Sequence, residues 1–192
     1  MRKIPTVFRR DPDDMRRVLP EVTPGCEWVL AGEGVATRKY DGTCVMFDGE
    51  RWWARREVKR GKPTPQVFQL VDTDPATGKS VGWEPIENSP FARWHAEALD
   101  GLVGGASGGA GTYELCGPKV QGDPERFGEH VLIAHAGAEE IAEFTKPLDF
   151  DLVRATALHL GSLGVEGIVW HHPDGRMAKI KARDFPGPRS GR

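Results

Sequence analysis

The sequence predicts an α+β fold that is rich in antiparallel sheet, and three observations support this. Two pairs of β-favouring runs are each joined by a short turn that contains Asp-Gly. Helical patterns are fewer and short. The 24 glycines and 15 prolines indicate frequent turns and tight connections. With 39% hydrophobic and 28% charged residues, the chain is expected to form one globular domain over residues 1–192.

The strands follow from local patterns along the chain. The runs 43–47 and 51–55 flank Asp48-Gly49-Glu50 and predict a hairpin, because Asp-Gly between β-favouring runs is a strong turn signal. Residues 166–171 and 177–181 predict a second hairpin across Pro173-Asp174-Gly175. Shorter strands are predicted at 35–39, 112–115 and 130–134.

Three helices are expected. Ser89 followed by Pro90 predicts the N-cap and first turn of a helix that ends at Leu99, with Phe91, Trp94, His95 and Ala98 on one face. Asp149 predicts the cap of a second helix that ends near Leu160, with Gly161 just beyond it. Residues 138–144 predict a short third helix.

Several classes of protein are excluded by simple features. No apolar stretch is long enough to span a membrane, and the N-terminus has no apolar segment typical of a secretion signal. The three cysteines cannot all pair, and none has zinc-binding spacing, so we expect a reduced, cytoplasmic protein. The glycine-rich run 101–111 lacks the lysine and the strand–turn–helix context of a phosphate loop, and we interpret it as a flexible connection.

Positive charge is concentrated in three blocks although the net charge is −2. Residues 51–62 and residues 176–192 each carry six basic side chains and one acidic one, and residues 1–17 carry six basic and three acidic. A chain that is acidic elsewhere can thereby present a positive surface to a polyanion. Each block by itself is also compatible with an ordinary solvated surface.

The sharpest chemical feature is Lys39-Tyr40-Asp41-Gly42, at the end of one predicted strand. A lysine here can act as a nucleophile only while its amine is neutral, which requires burial or a neighbouring cation. Gly42 permits a close turn. Asp41 lies on the same face as Lys39 if the run is extended, where it could orient the amine or bind Mg²⁺ through water.

Further elements follow in a fixed order: Arg55-Arg56, Tyr113-Glu114-Leu115, Glu166-Gly167-Ile168-Val169 and Lys179-Ile180-Lys181. This series resembles the motifs of the covalent nucleotidyltransferase superfamily, which contains RNA ligases, DNA ligases and mRNA capping enzymes. Segments 36–44, 53–56, 82–86 and 166–171 are most similar to a small family of ATP-dependent RNA 5′–3′ ligases with vertebrate members. The similarity extends, with gaps, over residues 30–185.

The resemblance implies an antiparallel-sheet-rich, ATP-grasp-like catalytic domain in which Lys39 attacks the α-phosphate of ATP and becomes lysyl-AMP. Arg55 or Arg56 would grip phosphate, and Glu114 would bind ribose hydroxyls or a metal's water shell. Glu166 and Asp41 would place Mg²⁺ or Mn²⁺, and Lys179 and Lys181 would both reach the α-phosphate because they share a strand face. The implied nucleotide-binding set is Thr37, Arg38, Lys39, Arg55, Arg56, Glu114, Glu166, Lys179 and Lys181.

The later steps implied by the resemblance join RNA ends. AMP would pass to an RNA 5′-phosphate, and a 3′-hydroxyl would then displace it, as expected in RNA repair. Only eleven residues follow Lys181, so we expect no C-terminal OB domain and a minimal ligase core. RNA would then bind along blocks 51–62 and 176–192.

Some positions depart from the family pattern, and two other functions remain open. Arg38 stands where relatives often carry an acidic residue, and it could contact RNA or favour the neutral form of Lys39. Phe127 and Trp170 are both candidates for the aromatic that stacks on the base. None of the six histidines forms a metal-binding spacing. A nucleotidyltransferase with another nucleotide or acceptor (guanylyl transfer or AMPylation), or an inactive RNA-binding module, would also account for the motifs.

Overall fold

The computed structural model describes residues 2–101, 109–142, 144 and 148–186. Over these residues the strands are β1 (Phe8–Arg10), β2 (Val18–Val22), β3 (Val35–Lys39), β4 (Thr43–Phe47), β5 (Trp52–Val58), β6 (Gln69–Thr73), β7 (Ser80–Pro85), β8 (Gly111–Cys116), β9 (Val131–Ala134), β10 (Gly167–His171) and β11 (Met177–Lys181). The helices are α1 (Glu27–Leu30), α2 (Ala92–Asp100) and α3 (Phe150–Ser162), with 3₁₀ turns at Ile86–Asn88, His135–Gly137 and Ala182–Asp184.

All pairings between these strands are antiparallel. The prediction of an α+β fold with mostly antiparallel sheet and few helices is therefore confirmed. Both predicted hairpins are present, as β4–β5 and β10–β11, and the shorter predicted strands correspond to β3, β8 and β9. Gly49, in the first hairpin turn, has a φ of 104°, a conformation that favours glycine.

Contacts divide the chain into two compact units. The six-stranded unit comprises residues 1–3 and 41–137, and its sheet has the order β6-β7-β5-β4-β8-β9. The three-stranded unit comprises residues 4–40 and 138–192, and its sheet has the order β11-β10-β3 beside the separate hairpin-like pair β1-β2.

The six-stranded unit buries one sheet face beneath helix α2. Val45 and Leu115 are fully buried, and they form one cluster with Ala98 of the helix. Trp94 packs against this cluster and His95 is buried, so the predicted apolar face of the helix is confirmed. Since strand side chains alternate, the opposite sheet face presents the residues next to Val45 and Leu115, including Cys44 and Glu114.

The three-stranded unit buries the sheet face that carries Ile168, Trp170 and Ile180. Helix α3 contributes Val153 and Ala157 to the same cluster. Asp149 caps α3 by accepting a hydrogen bond from the Leu152 N–H at 2.7 Å, as predicted. Lys39, Lys179 and Lys181 lie on the other face of the sheet.

Both edges of the three-stranded sheet are bordered by further chain. At the β11 edge, the Lys179 N–H donates to the Pro5 carbonyl, and the Val7 N–H donates to the Lys179 carbonyl, each at 2.9 Å. At the β3 edge, the Arg38 N–H donates to the Glu139 carbonyl and the Ile141 N–H donates to the Ala36 carbonyl, each at 2.8 Å. The sheet is thus extended on both sides by short bonded segments.

The structure corrects three details of the predicted helices. Helix α2 begins at Ala92, two residues later than predicted, and Ser89 acts one turn earlier, where its hydroxyl accepts a hydrogen bond from the Phe91 N–H at 3.2 Å. Helix α3 continues through Gly161 to Ser162; a Cβ on Gly161 would lie 2.5 Å from the Ala182 Cβ, so glycine serves close packing there. The described part of 138–144 forms no helix, because residues 139–141 bond to β3.

Candidate functional site

Two of the predicted lysines lie in one row across the three-stranded sheet. Gly167 of the central strand β10 pairs with Lys39 of β3 on one side and with Lys181 of β11 on the other. Residues in one row point to the same sheet face, so the lysine side chains flank a position that has no side chain. A Cβ on Gly167 would lie 2.1 Å from the Ile180 carbonyl oxygen, so the close strand approach requires glycine.

The next row on this face contains Thr37, Val169 and Lys179. The prediction that Lys179 and Lys181 share a face is therefore confirmed. The Thr37 hydroxyl donates to the Val169 carbonyl at 3.2 Å and lies 3.1 Å from Nε2 of His171. The sheet face that carries Lys39 and Lys181 also carries the buried Thr37, whereas the opposite face forms part of the apolar core.

Glu166, one residue before β10, bridges the two lysines. Its Oε2 accepts a hydrogen bond from the Lys39 amine, and its Oε1 accepts one from the Lys181 amine. The Glu166 side chain is only 7% exposed, so it is a buried carboxylate between two cations. The Lys39 amine also donates to the Tyr40 carbonyl at 3.2 Å.

The ionisation of Glu166 reflects opposing effects. Burial raises the pKa of this carboxyl, but the charge of Lys39 and the hydrogen bonds from Lys181 and Lys39 outweigh it, so the pKa lies below the ordinary value of 4.5. Glu166 is therefore a stable anion. It lies in a cationic environment formed by the amines of Lys39 and Lys181.

Arg38 points away from this cluster. It pairs with Ile168 in the row between those of Lys39 and Thr37, which places it on the opposite sheet face. Its guanidinium lies 3.4 Å from Glu139 and 4.9 Å from the centre of the Tyr40 ring. The predicted contacts of Arg38 with nucleotide or RNA would therefore start from the face opposite Lys39.

The two candidate arginines lie on opposite faces of the sheet in the six-stranded unit. Arg55 and Arg56 are adjacent in β5 and so point to opposite faces of the sheet. Arg55 lines a cavity of about 530 Å³ together with Gly42, Thr43 and Cys44. Arg56 lies 3.9 Å from the buried carboxylate of Glu84. Of the two, Arg55 is the one beside the residues that directly follow the lysine motif.

Glu114 lies on the sheet face that carries Cys44, and two nitrogen donors hold its carboxylate there. Its Oε1 accepts a hydrogen bond from the Gly42 N–H at 3.1 Å, and its Oε2 lies 3.0 Å from Nε2 of His135. Nδ1 of His135 in turn lies 2.9 Å from the Thr112 hydroxyl. The carboxylate is therefore fixed in orientation, with lone pairs left to accept hydrogen bonds from hydroxyl groups.

The predicted metal ligands are carboxylates of the type that Mg²⁺ prefers. Asp41 begins the six-stranded unit, where its N–H donates to Glu125 Oε1 at 2.9 Å. Both oxygens of Glu166 already accept bonds from lysines. The described residues contain no group of three or more metal-ligating side chains. Each of these carboxylates, taken by itself, is of the type that can bind a magnesium ion together with nucleotide phosphates.

The remaining candidates have clear positions. Trp170 is 2% exposed and packs in the core, 5.5 Å from the Phe144 ring, on the face opposite Lys39. Phe127 is 38% exposed in the six-stranded unit, which leaves it the more accessible candidate for base stacking. Cys26, Cys44 and Cys116 form no disulfide with one another. The central part of the glycine-rich run (102–108) and the last six residues of block 176–192 lie outside the described residues.

Three residues that contact the candidate side chains were not predicted from the sequence: His135, Glu125 and Arg183. Nη2 of Arg183 lies 3.6 Å from Glu166 Oε1. Its position two residues after Lys181 was the one available signal, since it continues the alternation of cations in Lys179 and Lys181. His135 and Glu125 come from distant segments, and their sequence carries no comparable signal.

No protein-family model matches this chain, and a search of curated proteins finds no match either. Over the residues that the structure describes, no helix is both long enough and apolar enough to cross a membrane.

Proposed function

We propose that the protein is an ATP- and Mg²⁺-dependent RNA ligase that forms a lysyl-AMP intermediate on Lys39. One observation carries the proposal: Lys39 and Lys181 hold a single buried carboxylate between them. Carboxylate and phosphate oxygens are recognised by the same cationic donors. A phosphate group that enters this cluster would meet the nucleophile and a charge-stabilising lysine together.

The chemistry follows from these positions. Once the Lys39 ammonium has released a proton, its neutral amine attacks the α-phosphorus of ATP; a P–N bond forms, the bond to pyrophosphate breaks, and the nitrogen releases a second proton. Lys181 in the same row and Lys179 in the next offset the negative charge that builds on the phosphate oxygens. Phosphoryl transfer of this kind needs mainly positioning and cations, which this sheet face supplies.

The six-stranded unit is proposed to supply the other contacts. Glu114, whose orientation is fixed by Gly42 and His135, would accept hydrogen bonds from ribose hydroxyls. Arg55 would bind phosphate through its planar fork. Asp41 and Glu166 would hold the magnesium ion, which neutralises phosphate charge when it is bound. The antiparallel α+β architecture supports the proposed nucleotidyltransferase catalytic domain.

The RNA part of the proposal rests on charge. Residues 51–62 contain six cations, and Arg60 and Lys62 among them are exposed. Such a block supports binding of a polyanion better than binding of a small neutral acceptor. After adenylylation, AMP would pass to an RNA 5′-phosphate, and a 3′-hydroxyl would complete the phosphodiester.

The direct test is covalent labelling with [α-³²P]ATP and Mg²⁺. We expect a labelled protein band that is stable to denaturation and that is lost in Lys39→Ala. The matched control is Lys119→Ala, which removes an exposed lysine outside the site and should leave labelling intact. An unlabelled wild-type protein, folded by circular dichroism, would refute the proposal.

The same assay separates the two other functions. Labelling by GTP or NAD⁺ in preference to ATP would favour a different nucleotidyltransferase. An RNA-binding module would shift 5′-phosphorylated RNA in a gel equally well with Lys39→Ala and would give neither label nor ligated product.

A further inference from the structure

Arg183 is a third cation on the Glu166 carboxylate, and it differs from the two lysines. It lies in the 3₁₀ turn Ala182–Asp184 directly after β11. Its side chain is 71% exposed, whereas those of Lys39 and Lys181 are 19% and 16% exposed. The guanidinium therefore reaches the buried carboxylate from the solvent side.

The three cations are distributed between the two carboxylate oxygens of Glu166. Oε2 accepts from Lys39, while Oε1 accepts from Lys181 and lies 3.6 Å from Nη2 of Arg183. A phosphate bound in place of this carboxylate would have Lys39 on one side and Arg183 on the other. In an in-line displacement, the entering or leaving group lies opposite the lysine nitrogen. Arg183 lies near the carboxylate oxygen that Lys39 does not bind.

The base from which Arg183 extends is well anchored. The Lys181 N–H donates to the Asp184 carboxylate at 2.9 Å, and Asp184 is 3% exposed. Nη2 of Arg10 lies 2.7 Å from the other oxygen of Asp184. Lys181 and Asp184, on either side of Arg183, are thus fixed while the arginine itself stays open to solvent. An exposed guanidinium on an anchored turn is accessible to a phosphate carried by a large substrate.

We propose that Arg183 binds the terminal 5′-phosphate of the RNA acceptor; this inference rests on the function proposed above. In the step concerned, an oxygen of that phosphate attacks the phosphorus of lysyl-AMP. A P–O bond forms, the P–N bond breaks, and the Lys39 amine leaves and takes up a proton. The product is RNA with a 5′–5′ pyrophosphate link to AMP. The planar fork of arginine suits a terminal phosphate, which keeps two non-bridging oxygens for the guanidinium while the third attacks.

The experiment measures the two half-reactions separately in Arg183→Ala, Arg183→Lys and the wild type. Label from [α-³²P]ATP reports the first step, and a chase with a 5′-phosphorylated oligoribonucleotide reports the transfer. Loss of one charge-assisted contact predicts transfer about 10- to 100-fold slower in Arg183→Ala, with the first step within about threefold of wild type. Arg183→Lys should recover part of the rate. Arg93→Ala removes another exposed arginine with a carboxylate partner and should match the wild type in both steps.

Two results would overturn the inference. Transfer at the wild-type rate in Arg183→Ala would show that the arginine does not contact the acceptor. An equal decrease in both steps would assign Arg183 to the nucleotide or to pyrophosphate, which leaves on the same side in the first step. By contrast, a wild-type protein that takes no label would refute the ligase function itself. Labelling of Arg183→Ala in the first step also shows that this variant is folded.

Discussion

Two buried glutamates, one in each unit, are held in opposite ways. Glu166 of the three-stranded unit accepts hydrogen bonds from two lysine amines and has an arginine nearby. Glu114 of the six-stranded unit accepts one from a backbone N–H and contacts an imidazole. The first lies among fixed positive charges, and the second among donors that need carry no charge.

The difference indicates which ligand groups each environment suits. Cations that hold a carboxylate can exchange it for a phosphate, because both present anionic oxygens. A carboxylate fixed by neutral donors keeps its own charge and can accept bonds from hydroxyls. Under the proposed function, the three-stranded unit would bind phosphate and the six-stranded unit would bind sugar.

The most direct test of this comparison is to replace each glutamate in turn by alanine. Glu166→Ala removes the partner of two ammonium groups and leaves like charges facing each other. Because Glu166 positions both lysine amines and is proposed to hold Mg²⁺, we expect lysyl-AMP formation to be reduced by about 100-fold at saturating ATP, measured by the initial rate of labelling. Glu114→Ala should mainly raise the ATP concentration needed for half-maximal labelling, by about tenfold.

His135 gives the control for this contrast. His135→Ala releases one oxygen of Glu114 and touches no lysine, so we expect a smaller rise in the half-maximal ATP concentration with a maximal rate close to wild type. A large decrease in the maximal rate of either His135→Ala or Glu114→Ala would contradict the division of roles between the two glutamates.

The pH dependence of the free energy of unfolding gives a second comparison between the two units, through His95 in one and Glu166 in the other. Burial lowers the pKa of His95, in the six-stranded unit, to about 4 from 6.5. Between these values the unfolded chain binds a proton that the native state does not, so the free energy of unfolding falls as the pH falls. The loss amounts to about 3 kcal/mol by pH 4 and should disappear in His95→Leu, as measured by urea unfolding across pH.

Glu166 acts in a lower range of pH. Because its pKa is below 4.5 in the folded protein, its contribution to stability is complete above that value and is lost as the pH falls further. Glu166→Gln should therefore change the pH dependence of unfolding only below about pH 4.5. If His95→Leu left the loss between about pH 6.5 and pH 4 intact, the histidine would not be the neutral core residue described here.

The smallest expected effect concerns RNA affinity and its dependence on salt. Binding of single-stranded, 5′-phosphorylated RNA should weaken with salt, with a log–log slope of about −0.7 per phosphate neutralised. Arg60→Ala combined with Lys62→Ala should reduce the size of the slope by about 1.4, and Arg176→Ala by about 0.7. Fluorescence anisotropy between low and physiological salt measures both. An affinity that is flat in salt, or a changed slope in Lys119→Ala, would contradict the role of the basic blocks.

Much of the local structure was predictable because its signals are local. Asp48-Gly49 set the first hairpin, and Asp149 set the start of α3. The end of α3 was not predictable, since Gly161 usually ends a helix and here serves close packing against Ala182. Strands β6 and β7 were not predicted either; β6 is mostly exposed, so it lacks the apolar alternation that marks a strand.

The candidate site was predictable only in part. Alternation along β11 was enough to place Lys179 and Lys181 on one face. The alignment of Lys39 with Lys181 depends on β10 lying between their strands, and pairing of segments over 120 residues apart leaves no local signal. The same holds for His135 beside Glu114, which the chain brings together through β8 and β9.

The bonded segments along both sides of the three-stranded sheet have a consequence for solubility. Open strands next to a cationic face would be templates for pairing with another copy of the chain. Here, residues 5–7 occupy the hydrogen-bonding groups of Lys179, while 139–141 occupy those of Ala36 and Arg38. The lysines can therefore remain accessible to a polyanion without exposing a strand that invites aggregation.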